Sequence, residues 1–422
     1  MGRARIVRVM PDRPGPRPLS PQRVLALLAM TALGLRVLLD LAWIAQIRLP
    51  SLDLGKAAGG LLALALVLGT LAAWPALRRL PLRWPLAAWI AWLAVGLVRA
   101  PAPARGLDFF LRYASPLLLM AVVAASVRTE RAQRTLLWTV LGAAAIPIGL
   151  DLLGLLTHTA PTEELHGYHR LLGPYQDLHS HALAMAVFTV LGAFLALHGA
   201  TGRRRALAGA LGAAALACLA TTWVRTGLVL VALALGVLLL LQRRWSALIL
   251  LGAGIALALL LSARLRARFD DVWNLLTLTA PDGGWTALGT HRGAIWARSL
   301  SAFLALPPER ILFGDGLGGH LVFWKPRDPH NEYLSLLYQL GPAGPLLWLW
   351  LAGAGAREAW TRLRDRSPWR VDLARLALSL LTAAAVVNAL SNTFLSRLTI
   401  AWVLWAVVGL VLDAPPAAPQ RR

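Results

Sequence analysis

The chain has 422 residues, of which 58% are hydrophobic and only 15% are charged, and its formal net charge is +22. This composition, with a mean hydropathy of +0.61, exceeds what a soluble core can bury and predicts an all-α, polytopic membrane protein. The arginines punctuate apolar runs, so membrane orientation explains the charge and no nucleic-acid partner is expected. The single cysteine, Cys218, lies inside an apolar run and excludes an intrachain disulfide and a cysteine-based metal site.

Apolar runs of membrane-spanning length follow one another along the chain. The first follows an arginine- and proline-rich tail, residues 1–22, and is too long for a signal-peptide core; within it Arg36 and Asp40 are four residues apart and can pair. We predict about twelve transmembrane helices. Their predicted ranges are 24–47, 57–77, 85–98, 107–127, 135–156, 178–198, 206–223, 226–241, 246–262, 331–354, 371–390 and 395–412.

Arginine is concentrated in every second connection between these runs. Examples are 78–83, 128–134, 203–205 and 357–375. The positive-inside rule places these connections in the cytoplasm, together with the tail and both termini. One integral-membrane domain then covers 1–422. Two segments on the other side are long enough to hold chemistry, 157–177 and a large, partly helical loop at 263–330.

The large loop contains two patterns. Residues 286–306 predict an amphipathic helix along the membrane surface, with Arg292 one helical turn before Trp296. Its apolar residues are Ile295, Leu300, Phe303 and Leu304. The glycine-rich stretch that follows, with Gly314 and Gly316, fits either a simple turn or a close approach of the backbone to a ligand.

The chain re-enters the membrane at residues 328–345. Asp328 as N-cap and Pro329 as first helical residue predict that His330 and Asn331 lie in the first turn of the next span. The partial positive charge of a helix N-terminus disfavours an imidazolium, so His330 is a candidate neutral base for a sugar hydroxyl. Gly341 and Gly344 are expected to permit close packing and a kink.

These residues carry a resemblance to a known family. The pattern consists of Gly314 and Gly316, then Pro-His-Asn at 329–331, then Tyr333, Leu334, Leu337, Gly341 and Gly344. It resembles the signature region of the O-antigen ligase and polymerase superfamily. The predicted topology, with one large outer loop before the third-last span, is similar to that family's architecture.

The resemblance implies an enzyme that transfers a glycan from undecaprenyl diphosphate to an acceptor on the periplasmic face of a Gram-negative inner membrane. By this resemblance His330 matches the family's essential histidine and Arg292 its periplasmic-loop arginine. Arg225 matches the arginine of its Arg-x-Gly-like motif at the outer end of a span. Asn331 and Tyr333 belong to the same motif as supporting residues.

The chemistry of the residue types agrees with those matches. Arginine binds diphosphate oxygens with forked, charge-assisted hydrogen bonds. Arg225 and Arg292 also fit simple headgroup contacts, and Arg170 is a further candidate for the diphosphate or the acceptor. The histidines that compete with His330 for the role of base are His320, His291, His179 and His181.

The predicted reaction needs neither metal nor cofactor. A diphosphate is a good leaving group, arginines stabilise its charge, and one base suffices for direct displacement with inversion. The adjacent Asp270 and Asp271 face different directions in a helix and predict surface charge rather than a metal site. The favoured reading is ligation of O-antigen to lipid A-core among membrane lipids. The alternatives are an O-antigen polymerase, a protein O-oligosaccharyltransferase, or a transporter of lipid-linked glycans.

Overall fold

The computed structural model describes residues 20–41, 48–49, 52–165, 168–175, 177–199, 201–267, 269–270, 288–319, 329–390 and 397–412. Over these residues the chain is mostly helical, with almost no sheet. The helices are α1 (Pro21–Leu39), α2 (Leu54–Ala72), α3 (Trp74–Leu77), α4 (Arg83–Val98), α5 (Pro103–Ser126), α6 (Glu130–Leu156), α7 (Leu178–His198), α8 (Gly202–Thr222), α9 (Arg225–Leu241), α10 (Trp245–Leu261), α11 (Ala263–Ala267), α12 (Leu288–Leu304), α13 (Pro308–Phe313), α14 (Glu332–Leu340), α15 (Ala343–Arg362), α16 (Pro368–Leu390) and α17 (Leu398–Val411). Two short antiparallel hairpins pair β1 (Arg48–Leu49) with β2 (Leu52–Asp53) and β3 (Thr162–Leu165) with β4 (Tyr168–Leu171).

Six helices in the described part of the chain are long and apolar enough to cross a membrane. They are α1, α5, α6, α7, α8 and α16. Shorter apolar helices are α4, α9, α10, α17 and most of α2. The polytopic, membrane-embedded character predicted from composition is thus supported. A count of twelve crossings remains a prediction, although every predicted range overlaps at least one helix.

The core of the bundle is built around α7. This helix packs closely against α8, and it also contacts α9; α16 lies along α9, and α17 lies along α5. The approach of α7 to α8 is closest at Gly192 and Gly212, where a Cβ on Gly192 would sit 2.6 Å from the Gly212 Cα. Glycine therefore permits the backbones to touch, as is common between membrane helices.

Charged side chains gather at two opposite ends of this bundle. At one end Arg397, which precedes α17, pairs with Asp177, which precedes α7. At the other end Arg134 donates to the carbonyl of His198, and the His198 ring lies 2.8 Å from the carboxylate of Asp372. Asp177 and Arg397 were predicted to lie on the outer side, and Arg134 and the segment 357–375 on the cytoplasmic side; these membrane sides stay a prediction.

The predicted span 331–354 is wrong as a single helix. It is divided into α14 and α15, because Gly341 has a φ of +64° and Pro342 has no amide hydrogen to continue the helix. With 9 residues, α14 rises only about 14 Å, less than half of a bilayer core. The close packing expected at Gly344 is present, because its Cβ would meet the Leu336 carbonyl at 2.9 Å.

The large loop is described in part. The helices α11, α12 and α13 lie within it, whereas 271–287 and 320–328 are outside the described residues. The predicted amphipathic helix is present as α12. Phe303 packs inward, while Leu300 and Leu304 are exposed. Their exposure fits contact with a membrane surface, which stays a prediction, as does the loop's periplasmic location.

Candidate active site at one end of the helical bundle

His330 lies outside α14, although it was predicted to lie in the first turn of a helix that begins at Pro329. The N-cap of α14 is Asn331, whose side-chain oxygen accepts the amide of Leu334 at 3.1 Å, and the first helical residue is Glu332. His330 precedes the cap and has a φ of +49°, in the left-handed region that costs a non-glycine residue about 1–2 kcal/mol. The predicted start at Pro329 is therefore wrong, and Asp328 lies outside the described residues.

Three hydrogen bonds hold the segment around His330 in place. The indole of Trp296 in α12 donates to the carbonyl of Pro329 at 2.9 Å. The side-chain amide of Asn331 donates to the carbonyl of Ala389 at 2.8 Å, and the Tyr333 hydroxyl donates to the carbonyl of Ala385 at 2.9 Å. Asn331 and Tyr333 thus tie the segment to the last turns of α16.

Arg292 reaches the same helix end. Its guanidinium donates to the carbonyl of Leu390, the residue after Ala389, to which Asn331 donates. A helix C-terminus attracts cations because its last carbonyls have no helical partner. The structure therefore brings Arg292 together with His330, from segments 38 residues apart in the numbering.

Residues at the start of α7 complete this group. Asp177 is the N-cap of α7 and accepts the amide of Ser180 at 2.9 Å, and its carboxylate pairs with Arg397. The charges of Arg397, Arg292 and Asp177, and the imidazole of His330, all act on His179. We call these residues the His330 cluster, namely His330, Arg292, His179, Asp177 and Arg397.

Neither Arg397 nor Asp177 was predicted from the sequence to be a site residue. Each had a detectable signal: Arg397 is one of the few arginines on the predicted outer side, and Asp177 is a favourable N-cap just before an apolar run. Burial alone would raise the pKa of the Asp177 carboxyl, but Arg397 and hydrogen bonds from Ser180 outweigh it and hold that pKa below its usual value. Asp177 is therefore ionised at neutral pH.

Arg225 and Arg170 lie around the end of α8. Arg225 is the first residue of α9, and the Nε of Arg170 donates to the carbonyl of Thr222 at 3.3 Å. Arg170 is buried and lies opposite Glu163 in the β3–β4 hairpin. Burial lowers the pKa of Arg170, and the carboxylate of Glu163 partly offsets this effect. These contacts give Arg170 a packing role, while its role in binding a diphosphate stays a prediction.

Gly314 and Gly316 make close approaches to the protein's own backbone. Both have positive φ, and a Cβ would overlap Gln339 and Leu340 at Gly314 and the Arg99 carbonyl at Gly316. The amide of Gly316 donates to the carbonyl of Gln339 at 3.1 Å. Of the two predicted readings, the structural turn is the one that these contacts support.

The competing histidines occupy different environments. His181 is completely buried, and its Nε2 lies 3.1 Å from the carboxylate of Asp151 in α6. His320 and the side chain of His291 lie outside the described residues, as does Asp271, and Asp270 is exposed. Only His179 shares the cluster with His330, so proximity to arginine narrows the choice of base to these two among the histidines that the structure describes.

Comparison with models of known protein families gives no match, and comparison with curated proteins gives none either.

Proposed function

We propose that this protein is an integral membrane glycosyltransferase that ligates O-antigen from undecaprenyl diphosphate onto lipid A-core. The observation that carries the proposal is the convergence of Arg292 and of Asn331, the residue next to His330, on the last turn of α16, at one end of a bundle of apolar helices. A guanidinium next to an imidazole at a membrane boundary suits a lipid-linked diphosphate and a hydroxyl acceptor.

In the proposed reaction, His330 and Arg292 each have one role. The acceptor hydroxyl oxygen attacks the anomeric carbon of the donor glycan, and the bond from that carbon to the diphosphate oxygen breaks. His330 takes the proton from the hydroxyl, and undecaprenyl diphosphate leaves with the bonding electron pair. Arg292 stabilises the negative charge that develops on the leaving group. Displacement from the opposite face inverts the anomeric carbon.

The local electrostatics favour a base at His330. The positive end of the α14 dipole, which begins two residues after His330, opposes a positive charge on the imidazole. A neutral imidazole has a free lone pair to accept a proton. The charges of Arg292 and Arg397 also act on His179. An alanine substitution at each histidine therefore distinguishes which of the two is the base.

The membrane arrangement in this proposal is the one predicted from the sequence. About twelve helices cross a Gram-negative inner membrane, both termini are cytoplasmic, and the loop 263–330 is periplasmic. The His330 cluster then faces the periplasm, where a lipid-linked O-antigen donor and lipid A-core are both accessible. Arg225, at the start of α9 in the same end of the bundle, is a further donor-binding residue in this scheme.

The test uses purified protein in detergent with undecaprenyl-diphosphate glycan and either lipid A-core or a second donor molecule as acceptor. We expect the glycan to be transferred to lipid A-core. If the second donor molecule is extended instead, the protein is a polymerase. The matched pair Arg292→Ala and Arg298→Ala lies on one helix, and Arg298 is exposed with its Nε bonded to its own helix at Ala294. Only Arg292→Ala should reduce transfer. Equal loss in both variants would contradict the role of Arg292.

A further inference from the structure

The ion pair between Asp177 and Arg397 joins two helix starts within the His330 cluster. Asp177 is the N-cap of α7, and Arg397 is the N-cap residue of α17. The guanidinium of Arg397 donates to the Asp177 carboxylate and to the Ser180 hydroxyl. The Ser180 hydroxyl in turn donates to Asp177 at 2.5 Å. The guanidinium is therefore held at a fixed position at the end of the bundle.

This guanidinium lies in the same electrostatic neighbourhood as Arg292. Both arginines act on His179, together with Asp177 and His330. Arg397 contacts Asp177 and Ser180, which lie on either side of His179 in the sequence. Two guanidinium groups in one neighbourhood suit the several anionic oxygens of a diphosphate. Asp177 is the carboxylate that partly neutralises this arrangement, because it is ionised and bonded to Arg397.

We propose that Arg397 is an additional diphosphate-binding arginine of the site, and that the Asp177 carboxylate positions it and competes with the diphosphate for it. The proposal rests on the proposed function for the identity of the anion, a lipid-linked diphosphate. Binding of the donor then shifts part of the Arg397 hydrogen bonding from the carboxylate to the phosphate oxygens. Release of undecaprenyl diphosphate restores the ion pair.

Substitution of Arg397 and substitution of Asp177 should change the affinity for undecaprenyl diphosphate in opposite directions. Arg397→Gln removes a charged donor and should weaken binding of undecaprenyl diphosphate about tenfold or more, as expected for a lost charge-assisted hydrogen bond. Asp177→Asn keeps the N-cap, because asparagine caps a helix as well as aspartate does. It removes the competing charge and should strengthen binding about two- to fivefold, the range for half-exposed ion pairs.

The measurement is the dissociation constant of undecaprenyl diphosphate for the purified full chain, by fluorescence or thermophoresis. Inorganic pyrophosphate should compete, and phosphatidylglycerol should not. Arg298→Gln is the control and should bind as the wild type does. Arg397→Lys, which keeps the charge but loses the forked geometry, should give an intermediate constant; it also serves if Arg397→Gln does not fold.

An ion pair with only a structural role predicts a different pattern, since breaking it from either side should weaken binding alike. Weaker binding by Asp177→Asn, unchanged binding by Arg397→Gln, or equal competition by phosphatidylglycerol would each overturn the proposal. The readout does not depend on glycan transfer. If the two variants shift the dissociation constant in opposite directions but the protein transfers no glycan, this inference stands and the proposed function fails. If the protein transfers glycan but the two shifts are not opposite, the proposed function stands and this inference fails.

Discussion

Asn331 uses its side chain twice, and substitutions can separate the two uses. Its Oδ1 caps α14 through the amide of Leu334, and its Nδ2 donates to the carbonyl of Ala389. Loss of a side-chain N-cap costs about 1 kcal/mol, and loss of a neutral hydrogen bond costs about 1 kcal/mol more. Asn331→Ala should therefore destabilise the protein by about 2 kcal/mol. Asn331→Ser keeps the cap and should lose about half of that.

The assay is reversible unfolding of the purified variants in mixed micelles, followed by tryptophan fluorescence. A loss of about 2 kcal/mol changes the ratio of folded to unfolded protein about thirtyfold. Because Asn331 follows His330 directly, Asn331→Ala should also lower the maximal transfer rate, and Asn331→Ser should recover part of it. Equal destabilisation by the serine and alanine variants would refute the capping argument. So would an alanine variant within about 0.5 kcal/mol of the wild type.

Four further outcomes are expected. His330→Gly should be about 1 kcal/mol more stable than His330→Ala in the same unfolding assay, because glycine adopts a positive φ without strain; equal stability would contradict the strained backbone. Asp151→Ala should destabilise by about 1–3 kcal/mol, since it removes the carboxylate that lies 3.1 Å from the buried His181 imidazole; a change within the experimental error of zero would contradict this. The pKa of Asp177 is lowered in the folded protein, so its contribution to stability is present at neutral pH and is lost as the pH falls through that value. As the pH falls from 7 into the acid range, the thermal unfolding midpoint of the wild type should therefore fall more than that of Asp177→Asn. If the midpoints of both proteins fall in parallel with pH, this prediction is contradicted. Transfer should persist in excess chelator, and loss of activity that magnesium restores would show a metal requirement.

The helices were largely predictable from the sequence because apolar runs and arginine-rich connections are local patterns. The range 178–198 coincides with α7, Leu178–His198. The start of α14 was not predictable in this way. Asp328 and Asn331 are both good N-cap residues, and local propensity does not choose between them. The choice is made by the bond from Asn331 to Ala389, on a helix that follows much later in the chain.

The candidate site was predictable only in part, because contacts between distant parts of the chain do not appear in local sequence patterns. His330 and Arg292 were predicted from the motif resemblance, and Arg292 also lies on the predicted amphipathic helix 286–306. The pairing of Arg397 with Asp177 joins residues 220 positions apart, and no spacing in the sequence indicates it. Similarly, the glycines at 314 and 316 indicated a special backbone, but only the fold identifies the backbone that they touch.

The most direct test of the central claim is glycan transfer by purified His330→Ala protein. Wild type, His330→Ala and His179→Ala are each given undecaprenyl-diphosphate glycan and lipid A-core under single-turnover conditions, after their folding has been checked. We predict that His330→Ala binds the donor and transfers no glycan, whereas His179→Ala retains transfer. Transfer by His330→Ala at the wild-type rate would contradict the assignment of His330 as the base.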